Sequence, residues 1–163
     1  MRRHTIYLTD ESKSCLLKHI NNSPGIRYRE LLRATGFANG VLTYHLKILE
    51  KSRRIKVNRY RIRKSTRYYP FNTTAQEARI MEYVRRTTTR KILLFLLDYD
   101  LCTSNDIKQH TKKGGSTISW HLSWLRKAGI ISARSGMHQT YRLRNKDLVA
   151  ILMNKSQKSG ISC

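Results

Sequence analysis

Side chains able to do chemistry are few in this 163-residue chain: six His, three Cys and ten acids. Two of the histidines occupy matching phrases. His45 lies in VLTYHLKIL (Val41 to Leu49) and His121 in TISWHLSWL (Thr117 to Leu125), 76 residues apart. Each phrase reads hydroxyl, aromatic, His, Leu, two residues, Leu. Such a His can ligate a metal, switch with pH or donate to a phosphate. No other ligand stands at metal spacing, so the reading is a partly buried imidazole bonded to backbone, or a backbone phosphate contact. His4, His19, His110 and His138 are scattered. Cys15, Cys102 and Cys163 are odd in number, widely spaced and without a CxxC, which gives no disulfide framework. Cys15 and Cys102 read as buried or incidental thiols; redox sensing would need a lowered thiolate pKa. No Walker loop, paired carboxylates or nucleophile–base set appears, so neither an enzyme nor a cofactor is expected.

The basic side chains carry the stronger signal. Lys and Arg total 33 against 10 acids, a net charge of +23 and a pI near 10.6. Up to Asn72 there are 17 basic and 4 acidic residues; after it, 16 and 6. The excess of +13 and +10 is therefore spread along the chain. Self-repulsion opposes compaction, so a polyanion is the natural partner and nucleic acid the commonest one. From Lys51 to Arg67 nine basic residues (Lys51, Arg53, Arg54, Lys56, Arg59, Arg61, Arg63, Lys64, Arg67) occur with no acid, interleaved with Val57, Tyr60 and Ile62. That alternation presents charge in rows along a hairpin.

These residues need elements to hold them, and the elements come twice. At a shift of 76, Leu16, Leu17, Ile20 and Leu31 fall on Ile92, Leu93, Leu96 and Ile107, and Thr35 on Thr111. Leu42, Leu46, Leu49 and Ile55 fall on Ile118, Leu122, Leu125 and Ile131. Matching apolar positions with differing surfaces indicate two copies of one small fold. In copy one, Thr9-Asp10 offers a helix N-cap and Ser23-Pro24-Gly25 a break. A short helix over about Arg27 to Ala34 turns Leu31 and Leu32 inward. Gly36 ends it, and Asn39 caps a third helix over about Gly40 to Ser52. A two-stranded hairpin follows, with its loop near Lys64-Ser65-Thr66. Copy two repeats the order: helix at Ile92 to Leu97, a helix capped by Thr103-Ser104 through His110, and one from Gly115-Ser116 to Gly129. Its hairpin, Ile130 to Leu143, turns near Ser135-Gly136. Between the copies, Thr74 and Glu77 make a capping box for a connector helix. A helix over about Lys146 to Met153 and a polar tail close the chain. The expected domains are 1–72, a connector at 73–89, 90–145, and a C-terminal helix and flexible tail at 146–163.

Two short helices, a tight turn and a basic hairpin make a winged helix-turn-helix. On the third helix, Leu42, Leu46 and Leu49 fall within about 60° of one another. Gly40, Thr43, Tyr44, Lys47 and Lys51 fall on the opposite side. Gly40 lets the helix start approach a phosphate; Thr43 and Lys47 can reach base edges or phosphates. In copy two the outward set is Ser116, Ser119, Trp120, Ser123 and Lys127, with Thr117 opening the repeated phrase. Trp120 suits sugars or thymine methyls, or burial against another domain; Trp124 suits packing against the connector or a partner. Arginines on a wing reach phosphate or a minor groove, and the second wing carries Arg134.

SPGIRYRELLRATGFANGVLTYHLKILEKSRRI followed by RYYP, with STISWHLSWLRKAGII and TYRL in copy two, resembles archaeal transcriptional regulators predicted to carry two helix-turn-helix domains. These fall in the winged-helix group that includes the ArsR and MarR types. The resemblance covers most of residues 10–145. It implies a third helix that reads DNA, mapping onto Gly40, Val41, Thr43, Tyr44 and Lys47, and a wing on the backbone. The paired cysteine motif of metal-sensing ArsR proteins is missing. The copy-one hairpin is a few residues longer than usual.

The expectation is a mainly helical protein with small β-hairpins (α+β), two tandem winged helix-turn-helix domains, and sequence-specific binding of double-stranded DNA. The proposed contacts are Asn39, Gly40, Val41, Thr43, Tyr44, Lys47, Lys51, Arg59, Arg61, Arg63, Lys64, Arg67, Ser116, Thr117, Ser119, Trp120, Ser123, Lys127 and Arg134. The rivals are a sequence-tolerant chromatin protein and an RNA-binding or protein-interaction module. No apolar run nears the ~20 residues of a membrane span, so a cytoplasmic, nucleoid-associated chain without a membrane partner is expected. Pairing into a homodimer and a small-molecule effector are left open by the residues.

Overall fold

The structure, a computed structural model, describes residues 2–60 and 65–157, with side chains for 10–59 and 65–156. The fold is mainly helical with two small antiparallel sheets. The chain divides into two units, Met1–Ala78 with the residues from Lys155 on, and Arg79–Asn154.

In the first unit α1 (Arg2–Asn22) leads to β1 (Ile26–Arg27), α2 (Tyr28–Thr35), α3 (Asn39–Lys51), β2 (Ile55–Tyr60) and β3 (Ser65–Pro70). Leu16, Ile20, Leu31, Leu42, Leu46, Leu49, Ile55 and Tyr68 form its core, with Leu17 and Leu32 partly buried against them. The apolar stripes of three helices thus close over one face of a sheet, each fully buried Leu or Ile contributing about 1.5–3 kcal/mol. At the break after α1, Gly25 has φ +80°, and a Cβ there would stand 3.1 Å from the Tyr69 ring. Only glycine fits without strain.

The second unit repeats the plan: α5 (Thr87–Asp98), β4 (Cys102–Thr103), α6 (Ser104–Thr111), α7 (Gly115–Lys127), β5 (Ile131–Arg134) and β6 (Thr140–Leu143). Ile92, Leu93, Leu96, Ile107, Ile118, Leu122, Leu125 and Ile131 are buried. The offset of 76 holds at both ends of β1 and β4, α2 and α6, and α3 and α7. It breaks at the starts of α1 and α5 and in the hairpins. Ile55 pairs with Pro70 and Ile131 with Leu143, so the first hairpin is three residues longer.

Each sheet has three strands, not two. β1 pairs with β3 (Ile26 with Tyr68, Arg27 with Arg67), and β4 with β6 (Cys102 with Tyr141, Thr103 with Thr140). Two-residue strands carry no readable alternation. Other boundaries differ as well. α1 starts at Arg2, so Thr9-Asp10 is interior and not a cap. The N-cap of α3 is Ala38, because Asn39 already has helical geometry. Ser65 and Thr66 belong to β3; the link between the strands is 61–64, outside the described residues. α5 starts at Thr87, inside the span assigned to the connector. α8 (Lys146–Gln157) runs four residues beyond Met153, into the segment read as flexible tail.

The Thr74–Glu77 capping box is present as read, and the cap at Thr103 is a box with Asp106. The Thr74 N–H donates to Glu77 Oε2 at 2.7 Å and the Glu77 N–H to Thr74 Oγ1 at 3.1 Å, opening α4 (Ala75–Val84). Thr103 and Asp106 do the same for α6. Cys15 is half-buried on α1. Cys102 is free and buried. Burial first, then Asp106 and Asp100, push its thiol pKa up, the opposite of what a redox sensor needs.

Candidate nucleic-acid interface

The interface is built from the turn between α2 and α3. Gly36 takes φ +67° and its N–H returns to the Leu32 carbonyl at 3.0 Å, ending α2 sharply. α3 then starts three residues later. Its inner side buries Leu42, His45, Leu46 and Leu49. Gly40, Val41, Thr43, Tyr44, Lys47 and Lys51 are exposed, Tyr44 at 59%. The outward set read from the helical wheel is therefore the outward set in space.

Tyr28, at the start of α2, braces this surface and was not among the predicted site residues. Its hydroxyl lies 3.0 Å from the Asn39 carbonyl, 3.2 Å from Asn39 Oδ1 and 3.0 Å from Thr43 Oγ1. A phenol has one hydrogen. Donation to Asn39 leaves it to accept from Thr43, whose own lone pairs remain available to an incoming donor. Asn39 thus belongs to a clamp between the two helices. Tyr28 and Thr43 are 15 residues apart, so helical periodicity gives no sign of the contact.

Beside α3 runs the wing. Its cations do not act alike. Arg59 on β2 is exposed, but its two guanidinium nitrogens donate to the two Glu50 carboxylate oxygens at 2.7 Å each. The pair holds the Glu50 carboxyl below its usual pKa and raises Arg59. Arg59 is thus ion-paired to α3 and not a free wing cation. Arg67 is 4% exposed and donates to the Gly25 carbonyl at 2.8 Å. It cannot face a phosphate and is withdrawn from the interface; period-2 alternation put it on the wrong side of β3. Lys56 donates to the Thr73 carbonyl. Arg61, Arg63 and Lys64 lie outside the described residues. Arg53 and Arg54 are exposed beside Lys51, Arg53 with φ +54°.

In the second unit α7 exposes Ser116, Thr117, Ser119, Trp120, Trp124 and Lys127, while Ser123 is half-buried. The Trp120 and Trp124 ring centroids are 5.8 Å apart, and Lys127 Nζ lies 5.7 Å from the Trp124 ring. Arg134 is exposed at the end of β5, and Met137 at the wing tip is 97% exposed. The positions matching Tyr28, Asn39 and Thr43 are Ser104, Gly115 and Ser119, so the tyrosine clamp is not repeated.

The two matching histidines differ. His45 is 4% exposed, and its Nδ1 has no hydrogen-bond partner, contrary to the backbone bond expected. Its ring meets the Tyr44 ring edge-on at 5.3 Å. His121 is half-buried with Nδ1 3.2 Å from Thr89 Oγ1. Lys13 occupies the position matching Thr89 and is bonded to Asp10 instead. Burial lowers both imidazole pKa values; Lys13 lowers His45 further, and Arg86 His121.

Among the described residues no group of three His, Cys, Asp or Glu side chains could hold a metal, and no helix is long and apolar enough to cross a membrane.

Comparison with known proteins agrees with this geometry in both halves. Residues 10–81 match a family described as an N-terminal HTH domain, and residues 87–133 match "Bacterial regulatory protein, arsR family". An uncharacterized HTH-type transcriptional regulator of Methanocaldococcus jannaschii is 25% identical over 127 residues, 78% of this chain. The chain spans about a third (32%) of that relative's length. Among solved structures, HlyU from Vibrio cholerae N16961 is 21% identical, at a TM-score of 0.45, over 51% of this chain and 90% of its own. A homodimeric winged helix-turn-helix DNA-binding domain from Mycobacterium bovis, described as a possible ArsR-family transcriptional regulator, is 26% identical. Its TM-score is 0.42, over 47% of this chain and 71% of its own.

Proposed function

We propose that this chain, a tandem winged helix-turn-helix protein of the ArsR-like kind, is a sequence-specific transcriptional regulator of double-stranded DNA. The carrying observation is the division of α3: Leu42, Leu46 and Leu49 are buried while Thr43, Tyr44 and Lys47 face outward beside an acid-free wing. A major groove about 12 Å wide admits such a helix. Thr43 and Lys47 read base edges, and Gly40 lets the helix start approach the backbone. Lys51, Arg53 and Arg54 meet phosphate. The net charge of +23 supplies non-specific affinity. The match to the arsR family and the relative named as a transcriptional regulator support the regulatory role. A nucleoid location follows from the ligand. No catalytic step is part of the reading. Pairing with a second copy would double the number of reading helices.

Fluorescence anisotropy on a selected site and on a scrambled duplex tests this. Affinity should fall on the order of 10³-fold between 50 and 200 mM salt. Lys47→Ala should weaken the selected site more than the scrambled one, and Lys51→Ala both alike. A flat salt dependence, or equal losses for Lys47→Ala on both duplexes, rejects the proposal.

A further inference from the structure

The outward residues of α7 are unlike those of α3. Ser116, Ser119, Trp120 and Ser123 carry none of the Arg, Lys, Asn or Gln side chains that grip guanine or adenine with two hydrogen bonds; α7 has such side chains only in its last turn, at Arg126 and Lys127. On that face stands an indole, half exposed in Trp120, where α3 has Tyr44, and Ser123 matches Lys47. That ring is supported. It stands edge-on to His121 at 4.9 Å and 5.8 Å from the Trp124 ring.

The surroundings select the occupant. From Ile107 to Lys146 the chain contains no acid, while Lys112, Lys113, Arg126, Lys127 and Arg134 are all exposed. A polyphosphate complements such a field; an apolar protein surface does not. A helix enters the major groove and not the ~6 Å minor groove. The apolar group a major groove displays is the thymine C5-methyl. Rings 5.8 Å apart and inclined at 56° leave no slot for an unpaired base, which needs roughly 7 Å between parallel faces, twice the base-pair rise.

We infer that α7 reads thymine methyl groups through Trp120, with Ser116 and Ser119 bonding to neighbouring base edges or phosphates. The second domain then prefers A·T-containing half-sites and recognises them by apolar contact. This rests on the duplex-binding reading above.

Replacing thymine by uracil removes the methyl and leaves every hydrogen-bonding group in place. Anisotropy is measured for the full chain on three duplexes of one length: an A·T-rich one, its uracil counterpart and a G·C-rich one. The same series is run for Trp120→Ser and Trp120→Phe, each checked for folding by circular dichroism. The wild type should lose roughly fourfold in affinity per contacted methyl on going to uracil. That ratio should stay constant from 50 to 200 mM salt while absolute affinity falls steeply. Trp120→Ser should bind both A·T duplexes alike, and Trp120→Phe should keep part of the difference. Equal wild-type affinity for the thymine and uracil duplexes, with salt-dependent binding intact, overturns the inference and leaves duplex recognition standing. A Trp120-dependent self-association with no thymine preference also overturns it and assigns the face to a second copy. No binding to any duplex overturns the reading beneath it.

Discussion

The Glu50–Arg59 pair permits a quantitative test of how the wing is charged. Glu50 is the single acid on α3, and its carboxylate is engaged by both terminal nitrogens of Arg59 at 2.7 Å. The carboxyl is held below its usual pKa, so it is ionised throughout the neutral range. While the pair is intact Arg59 brings no net charge to a phosphate. Glu50→Gln removes the anion and frees the guanidinium. The side chains are 62% and 35% exposed, so loss of the pair should cost about 0.5 kcal/mol of stability or less. Binding should change much more. One added phosphate contact steepens the slope of log affinity against log salt by about 0.9. Over 50 to 200 mM that is about a 3.5-fold larger loss, with tighter binding at the low-salt end. Anisotropy on a scrambled 20-base-pair duplex reads both quantities. The double variant Glu50→Gln with Arg59→Gln should return the slope to the wild-type value. An unchanged or shallower slope for Glu50→Gln alone would refute the claim that Arg59 is neutralised on α3.

Three further outcomes follow from burial. His45, His121 and His19 all have pKa values lowered by burial from 6.5. The unfolded chain therefore binds more protons as pH falls below 6.5; stability is full above that pH and drops on acidification through the window down to the folded values. Urea midpoints from pH 8 to 5 should show the decline, and His45→Leu should remove the His45 share of it at little cost at pH 8, since no hydrogen bond to Nδ1 is lost. Arg67→Ala should cost about 2–3 kcal/mol in urea unfolding, because the buried Gly25 carbonyl loses a charged donor, yet leave the salt slope on DNA unaltered. Gly25→Ala should cost about 1–3 kcal/mol, as the left-handed backbone and the Tyr69 ring both resist a Cβ; a thermal midpoint equal to wild type would contradict this.

The helices and their inner faces were legible because each follows one local rule. Leucines at 3.6 spacing, a glycine stop at Gly36 and the Thr74–Glu77 box each act over a few residues. Fold repetition was legible because one offset aligns the core positions from Leu16 to Ile55. What escaped depends on distant pairing. β1 and β4 exist only because β3 and β6 lie beside them. The wing was misjudged for a related reason: a row of arginines looks uniform in sequence, but one is paired with Glu50 and another is buried at Gly25. Tyr28 shows the converse. Its role in bracing Asn39 and Thr43 comes from the angle of the helix-turn-helix, which no window of residues encodes.

The unbroken offset from β1 through the start of β2 has an evolutionary consequence. Two halves whose elements share the same bounds across α3 and α7 are interchangeable cassettes in length and register. One can keep one specificity while its twin takes another, so a copy with Lys47 and a copy with Ser123 in its place can coexist in one polypeptide. Grafting α6–α7 in place of α2–α3, cut at equivalent residues, should yield a folded hybrid without any linker redesign.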